Sequence, residues 1–229
     1  MSQQVQSMFA DIAPRYDVAN DAMSFGLHHA WRRKAVALSG AKPGMSVLDC
    51  ATGTGDLALA FKRAVGPNGQ VVGTDFCEPM LRSAPAKAAR AGLDVRFEVA
   101  DAMKLPYASA TFDLCSISFG IRNVDDPGKC LEELARVVKP GGRVVVIEFG
   151  QPDGFFGALF RFYARFFMPV IGQTLTGNRA AYEYLPRTAA AFPCGDRFLH
   201  LKRNAGRYAD VRAERLMFGT AWVYLGTVR

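Results

Sequence analysis

Three carboxylates, Asp49, Asp75 and Asp101, each close or follow a short apolar run, and Gly53 and Gly55 lie just beyond the first. Glycines so placed remove two Cβ atoms where the backbone turns back, so a ligand can come close to the main chain. The helix that follows turns free N–H groups and a positive dipole end toward that ligand. Gly53-x-Gly55-x-x-Ala58 fits the loose dinucleotide pattern, which alone is a weak signal. Asp49, four residues before Gly53, puts a carboxylate where a cationic group could meet it, and Asp75, 20 residues after Gly55, has the spacing of an acid that takes ribose hydroxyls. Asp101 with the small Ala102 beside it suits an adenine amine. S-adenosylmethionine carries an ammonium, a sulfonium, a ribose and an adenine but no pyrophosphate, so an acid-flanked loop suits it better than it suits NAD. Each piece is common by itself. Together, at the carboxyl ends of three consecutive strands, they make a crevice for one extended nucleoside.

The next strand exits at the same edge through Ser118-Phe119-Gly120-Ile121-Arg122-Asn123-Val124, which places Ser118, Arg122 and Asn123 to face cofactor and acceptor. A plain ion pair of Arg122 with Asp125 or Asp126 is the structural alternative. His28 and His29 are adjacent, so they are expected to diverge on a helix; they make a poor metal pair, and no metal site is expected. His28 remains a candidate acid or base. Other chemistries fit less well. There is no Tyr-x-x-x-Lys pair and no Gly-x-Ser-x-Gly elbow. Phe119-Gly120-Ile121 stands where adenine-amino methylases carry Pro-Pro-Tyr, and Pro193-Cys194 lies too far along the chain to be a cytosine-methylase nucleophile.

The elements that must position these residues alternate. Strands are expected over 47–51, 70–75, 94–99, 111–118 and 143–149, and helices over 31–38, 57–65 and 127–138. A further helix after 75 starts either at Pro79 or after Ser83, since Pro85 would break the longer version. The near-continuously apolar fifth strand reads as buried on both faces, and the order of elements as an α/β fold with a doubly wound, mostly parallel sheet. Residues 195–206 read as a helix, and 209–217 and 220–228 as two strands that close the sheet edge, seven strands in all. Residues 1–29 are irregular in pattern, with two compatible readings: a lid over the cofactor and an N-terminal helix packed by Met8, Phe9 and Ile12. Residues 151–171 are aromatic-dense, with Arg161 and Arg165 on one helical face; the run 154–169 is too short and too charged to span a bilayer but suits a membrane interface or the roof of an apolar pocket.

With 229 residues, 50% hydrophobic and 21% charged, the chain fits one globular domain comprising an N-terminal lid (1–40) and a substrate-side or membrane-facing insertion (151–190). Five scattered cysteines without a C-x-x-C argue against a disulfide framework or zinc site and for a reducing cytoplasm, and residues 1–10 lack the pattern of a signal peptide. The net charge of +7 points to an anionic partner, nucleic acid or membrane.

Met8-Phe9-x-x-Ile12-Ala13-Pro14-Arg15-Tyr16-Asp17, Asn20-Asp21-x-Met23-Ser24-Phe25-Gly26-x-His28-x-x-Trp31-Arg32, the glycine turn, Phe119 to Val124, Val138-Lys139-Pro140-Gly141-Gly142 and Glu148-Phe149 resemble the ubiquinone/menaquinone biosynthesis C-methyltransferase family, from Met8 to the C-terminus. The resemblance implies a class I, Rossmann-like methyltransferase fold. It puts the family's S-adenosylmethionine contacts on Thr54, Asp75, Asp101, Ala102 and Ser118. It also implies methylation of a ring carbon of a polyprenylated quinol: demethylmenaquinol, and in some members the methoxy-benzoquinol precursor of ubiquinone. The chain departs from the family at Asp101, where many members have Asn, at Cys50-Ala51-Thr52, where Leu-Ala-Gly is common, and from Phe192 onward, which leaves the choice of quinol open.

A reduced ring carbon is nucleophilic, more so once its hydroxyl is deprotonated. Arg122 and Asn123 would then orient or stabilise a phenolate, while Tyr16, His28 or a water takes the proton. The expected location is the cytoplasm, at the inner face of the cytoplasmic membrane. The expected partners are the quinol and the membrane surface, with a homodimer or a quinone-biosynthesis complex as further candidates and no nucleic acid. Two rival readings are a methyltransferase of a sterol or polyketide and one of RNA. Lys202, Arg203, Arg207, Arg212 and Arg215 motivate the latter, but no added RNA-binding module supports it.

Overall fold

The computed structural model describes residues 3–229. Strands β1 (Ser46–Cys50), β2 (Gln70–Asp75), β3 (Arg96–Val99), β4 (Phe112–Ser118), β5 (Val138–Phe149), β6 (Tyr208–Leu216) and β7 (Ala221–Val228) form one sheet in the order β3-β2-β1-β4-β5-β7-β6. Neighbours from β3 to β5 pair in parallel, and β7 runs antiparallel between β5 and β6. The order reverses direction between β1 and β4, and at such a point the carboxyl ends of the strands part to leave a crevice. The central strands are apolar because both of their faces are covered. One face packs Leu48, Cys115, Val144 and Val146 under Leu131, Leu134 and Phe198 of α7 (Pro127–Arg136) and α11 (Asp196–Asn204). The other packs Val47, Leu114 and Val145 under Ala35, Leu57 and Phe61 of α3 (Leu27–Ser39) and α4 (Asp56–Val65).

The alternation read from the sequence holds, with local differences. Both proline starts after β2 are used: α5 (Glu78–Leu81) and α6 (Ala84–Arg90) are separate helices. β3 begins two residues later than expected, because the Leu93 N–H turns back to the Ala88 carbonyl and closes α6. β5 starts at Val138, with a register shift where Pro140 to Gly142 bow out of the sheet. Lys202, grouped by sequence with the basic surface, is wholly buried; its ammonium donates to the Val144 carbonyl at 2.9 Å, and burial pushes its pKa down to about 7. It offers nothing to a nucleic acid.

The N-terminal stretch is helical rather than irregular: α1 (Gln3–Ile12), a short 3-10 turn and α2 (Tyr16–Ser24). Ile12, Ala19 and Met23 bury against Ala164, Met168, Ala181 and Tyr182. Those partners belong to α8 (Gly154–Phe166), α9 (Met168–Thr176) and α10 (Arg179–Ala191), so the lid and the insertion form a third apolar cluster above the sheet's carboxyl edge. The helical run Gly154–Thr176 is 23 residues long and apolar enough to cross a membrane by length and composition, which corrects the expectation that it was too short. Met168, Ile171 and Leu175 nevertheless pack in the lid cluster, so a spanning orientation would strip that cluster of one wall.

Candidate active site

The turn after β1 holds Gly53 at φ +58° and Gly55 at φ +88°, a region where a side chain is strained. A Cβ on Gly55 would also meet the Phe97 ring at 3.0 Å. Asp75 fixes this turn: one carboxylate oxygen accepts from the Gly53 N–H at 2.8 Å and the other from the Cys77 N–H at 2.8 Å. The carboxylate keeps acceptor capacity for a further donor. Asp49 does not reach a ligand directly. It is wholly buried, and its two oxygens accept from Thr52 and Ser116, both at 2.6 Å. Burial pushes its pKa up to about 6, so it braces the turn from beneath.

Asp101 accepts from the Met103 N–H at 2.9 Å and shapes the loop that carries Ala102, which packs on the main core. The Ser118 hydroxyl, at the end of β4, is buried with no hydrogen-bond partner among the described residues. A close-approach glycine turn, an acid at the end of β2 and an orphaned hydroxyl at the end of β4 fit S-adenosylmethionine.

Thr54 is tied to the lid. Its hydroxyl donates to Asp17 of α2 at 2.6 Å, and Lys87 of α6 donates to both Asp17 (2.8 Å) and Thr54 (3.1 Å) as well as to Asp56. Arg32 of α3 meets the other Asp56 oxygen at 3.1 Å. Burial opposes ionisation of Asp56, but Arg32 and Lys87 hold its carboxyl below its usual value. This cluster latches the lid to the first turn of α4. Nothing in the sequence singled out Lys87 or Asp56.

Beside the latch lies an apolar cavity of about 580 Å³, with Tyr16, His28, Phe119, Arg122, Tyr163 and Tyr184 in its wall. Arg122 pairs with Glu148, not with Asp125 or Asp126 as the sequence alternative had it: the two side chains meet at 2.9 Å, 4% and 1% exposed. Arg122 also donates to the Phe119 carbonyl and stacks its guanidinium over the Phe149 ring at 5.1 Å. Its Nε–H is buried with no partner among the described residues. Burial raises the pKa of Glu148, and Arg122 opposes that rise.

Asn123 stands behind the wall. Its side-chain oxygen accepts from the Tyr184 hydroxyl at 3.0 Å, so it positions Tyr184, a residue of α10 that sequence reasoning missed. Tyr16 lines the cavity and packs edge-on against Phe9. Phe119 adopts φ +55°, an uncommon conformation for a bulky residue, between Ser118 and the Arg122 loop.

His28 and His29 do not diverge. Their ring centroids lie 4.0 Å apart, and both Nε2 atoms face the same Asp21 oxygen, at 3.3 and 2.8 Å. The Ser24 hydroxyl lies between the Asn20 carbonyl at 2.7 Å and His28 Nδ1 at 2.5 Å. Burial first, then the Arg32 and His29 charges, pull its pKa down to about 4, while Asp21 opposes the shift. His28 is therefore neutral at neutral pH, with Nε2 turned toward Asp21.

The chain matches the ubiE/COQ5 methyltransferase family over residues 1–228. It is 53% identical over 226 residues to the ubiquinone/menaquinone biosynthesis C-methyltransferase UbiE of Bdellovibrio bacteriovorus, covering 98% of this chain and 96% of that one. It is 47% identical over 220 residues to the demethylmenaquinone methyltransferase of Thermus thermophilus, covering 96% and 99%. Solved structures share the fold at lower identity. A SAM-dependent methyltransferase of Thermotoga maritima, described as a possible histamine N-methyltransferase, superposes with a TM-score of 0.68 at 19% identity over 97% of this chain and 99% of its own. One from Aquifex aeolicus gives 0.63 at 23% identity over 86% and 89%. With identity of this level sustained along its whole length, on a sheet and glycine turn built for a nucleoside, the protein belongs to the ubiE/COQ5 methyltransferase family.

Proposed function

We propose that the protein methylates a ring carbon of a polyprenylated quinol, demethylmenaquinol in the first place and a methoxy-benzoquinol precursor of ubiquinone as a second substrate. The observation that carries this reading is the 580 Å³ apolar cavity with one polar corner, Arg122 and Tyr184, and a neutral histidine, His28, in its wall. Its volume suits an organic ring with part of a tail, and it is too apolar for a nucleotide substrate. Gly53, Thr54, Gly55, Asp75, Asp101, Ala102 and Ser118 would hold S-adenosylmethionine. When bound, that cofactor supplies an electrophilic methyl group; the protein supplies position, charge and a dry site.

A quinol oxygen at the polar corner meets the Arg122 guanidinium, which lines the cavity. The guanidinium is already fixed by Glu148, so it stabilises developing phenolate charge without reorganising. The proton that the quinol hydroxyl releases goes to a water in the cavity, with Tyr16 and neutral His28 in the wall beside it. Ring methylation needs a nucleophilic carbon, so turnover is expected only with reductant. The rate should rise with pH as the quinol hydroxyl ionises, and His28, with its pKa near 4, should impose no loss of activity until the pH falls toward that value. Purified enzyme with labelled cofactor and demethylmenaquinone, with and without dithionite, checks this. Equal label in both arms would sink the quinol mechanism, and label appearing only in a sterol or in RNA would hand the function to a rival reading.

The supply of such a substrate motivates a second element of the reading: reversible docking at the inner face of the cytoplasmic membrane. On α8, Phe155, Leu159, Phe162 and Phe166 share one exposed face, and Phe218 stands 68% exposed nearby, its ring tilted against Phe156. Arg161 and Arg165 are also exposed on this helix, where they can meet lipid phosphates. Phe155→Asp with Phe166→Asp, at positions 88% and 53% exposed, should cut sedimentation with anionic liposomes about tenfold. Failure of the wild-type protein to sediment at low salt overturns the docking reading.

A further inference from the structure

A second cavity of about 520 Å³ lies on the other side of α8, between α8, α9, α10 and the segment after β5. It shares Phe149, Phe160, Met168 and Leu185 with the first, so these four side chains form the partition between the two. The reacting corner lies at this partition. Arg122 stacks on Phe149, and Tyr184 is the neighbour of Leu185. Beyond the partition the wall is apolar and small: Ala164, Pro169, Pro186 and Ala189. The charged residues of this cavity, Arg161, Arg165, Glu183 and Arg187, are all exposed, so they stand around its mouth.

We propose that this second cavity binds the polyisoprenoid tail of the substrate, an inference that rests on the quinol reading above. The chemistry of the ring leads to the same place. In demethylmenaquinol the tail is attached to the carbon next to the one that is methylated. A ring held at the Arg122 corner therefore starts its tail at the partition. Phe160 and Met168 are flexible or rotatable apolar side chains, suited to parting around a thin hydrocarbon chain. Small residues on the far side leave room that larger ones would fill. The exposed arginines around the mouth suit the depth of lipid phosphates, where a tail would pass back to the bilayer.

The test compares two demethylmenaquinols in the same detergent, one carrying a single isoprene unit and one carrying about four, a length that the combined cavities can accept. The wild-type enzyme should favour the longer substrate by about tenfold in kcat/KM, a gain in apolar burial realised in binding. Ala189→Trp fills the second cavity from a half-buried position outside the first, and should abolish that preference by raising KM for the long substrate alone. Ala190→Trp, on an exposed residue of the same cavity, is read in parallel in case the first variant does not fold, and affinity for S-adenosylhomocysteine reports the integrity of both. Methylation of both substrates without preference by the wild type, or an equal effect of each variant on both, overturns the tail site and leaves the quinol reading standing. Methylation of neither substrate by the wild type overturns both.

Discussion

Arg122→Ala is expected to lower kcat by about 10²–10³-fold, the effect of removing a donor that meets charge developing in the transition state. Affinity for S-adenosylhomocysteine should change little, because Arg122 touches the acceptor side of the site. The same substitution leaves Glu148, 1% exposed, with a buried charge and no guanidinium, which is expected to cost about 3–5 kcal/mol of stability. Activity lost through unfolding and activity lost through chemistry must therefore be separated. The double variant Arg122→Met with Glu148→Gln does this by removing both charges at similar volume. It should recover most of the thermal stability and none of the rate. If the double variant regains activity along with stability, Arg122 serves the fold and not the reaction. If Arg122→Ala weakens cofactor binding as much as it slows turnover, the guanidinium belongs to the cofactor side.

Asp75→Ala should weaken binding of S-adenosylhomocysteine at least about tenfold, the loss of a charge-assisted contact of about 1.5–3 kcal/mol. The structure adds a second reason. Asp75 is the acceptor for the Gly53 and Cys77 N–H groups, so its removal also frees the turn that shapes the crevice. Asp75→Asn repairs only half of this, because its amide nitrogen would face one of two N–H donors. It should fall between wild type and Asp75→Ala in calorimetry. Unchanged affinity in both variants, or tighter binding of NAD than of S-adenosylhomocysteine, would remove Asp75 from the cofactor site.

What could be read from the sequence was governed by local periodicity. β1, β4 and β5 are covered on both faces, so their residues are apolar almost without interruption, and the glycine turn announces itself by composition. Long-range pairing was harder to see. The structural alternative for Arg122 pairs it with the nearest acids, Asp125 and Asp126, yet Ser118 lies beside Ile147 in the parallel β4–β5 pair. Glu148 is therefore the acid that follows the strand end into the same corner, and register would have found it. Asp49 looked like a ligand contact because its position along the chain was right; only the side-chain partners from Thr52 and Ser116 show that it faces inward. Lys87 joins Asp17 across 70 residues and Tyr184 joins Asn123 across 61, and no local pattern encodes either contact. The N-terminal helices read as irregular because their apolar residues pack on the insertion, α8 to α10, and not on the sheet that organises the rest of the pattern.

The exposed stripe on α8 and the cavity walls on its other faces belong to one helix, and this sets the units in which the enzyme meets its substrate. Each isoprene unit placed in water costs about 4 kcal/mol, taking roughly five carbons at ~0.8 kcal/mol each. A long-tailed quinol therefore does not arrive by diffusion through solvent. The concentration that matters is molecules per area of bilayer, and a Michaelis constant quoted per litre has no fixed meaning for such an enzyme. Adding inert lipid or detergent at constant total quinol dilutes the substrate within its own surface and slows turnover, even though nothing has been removed from the tube.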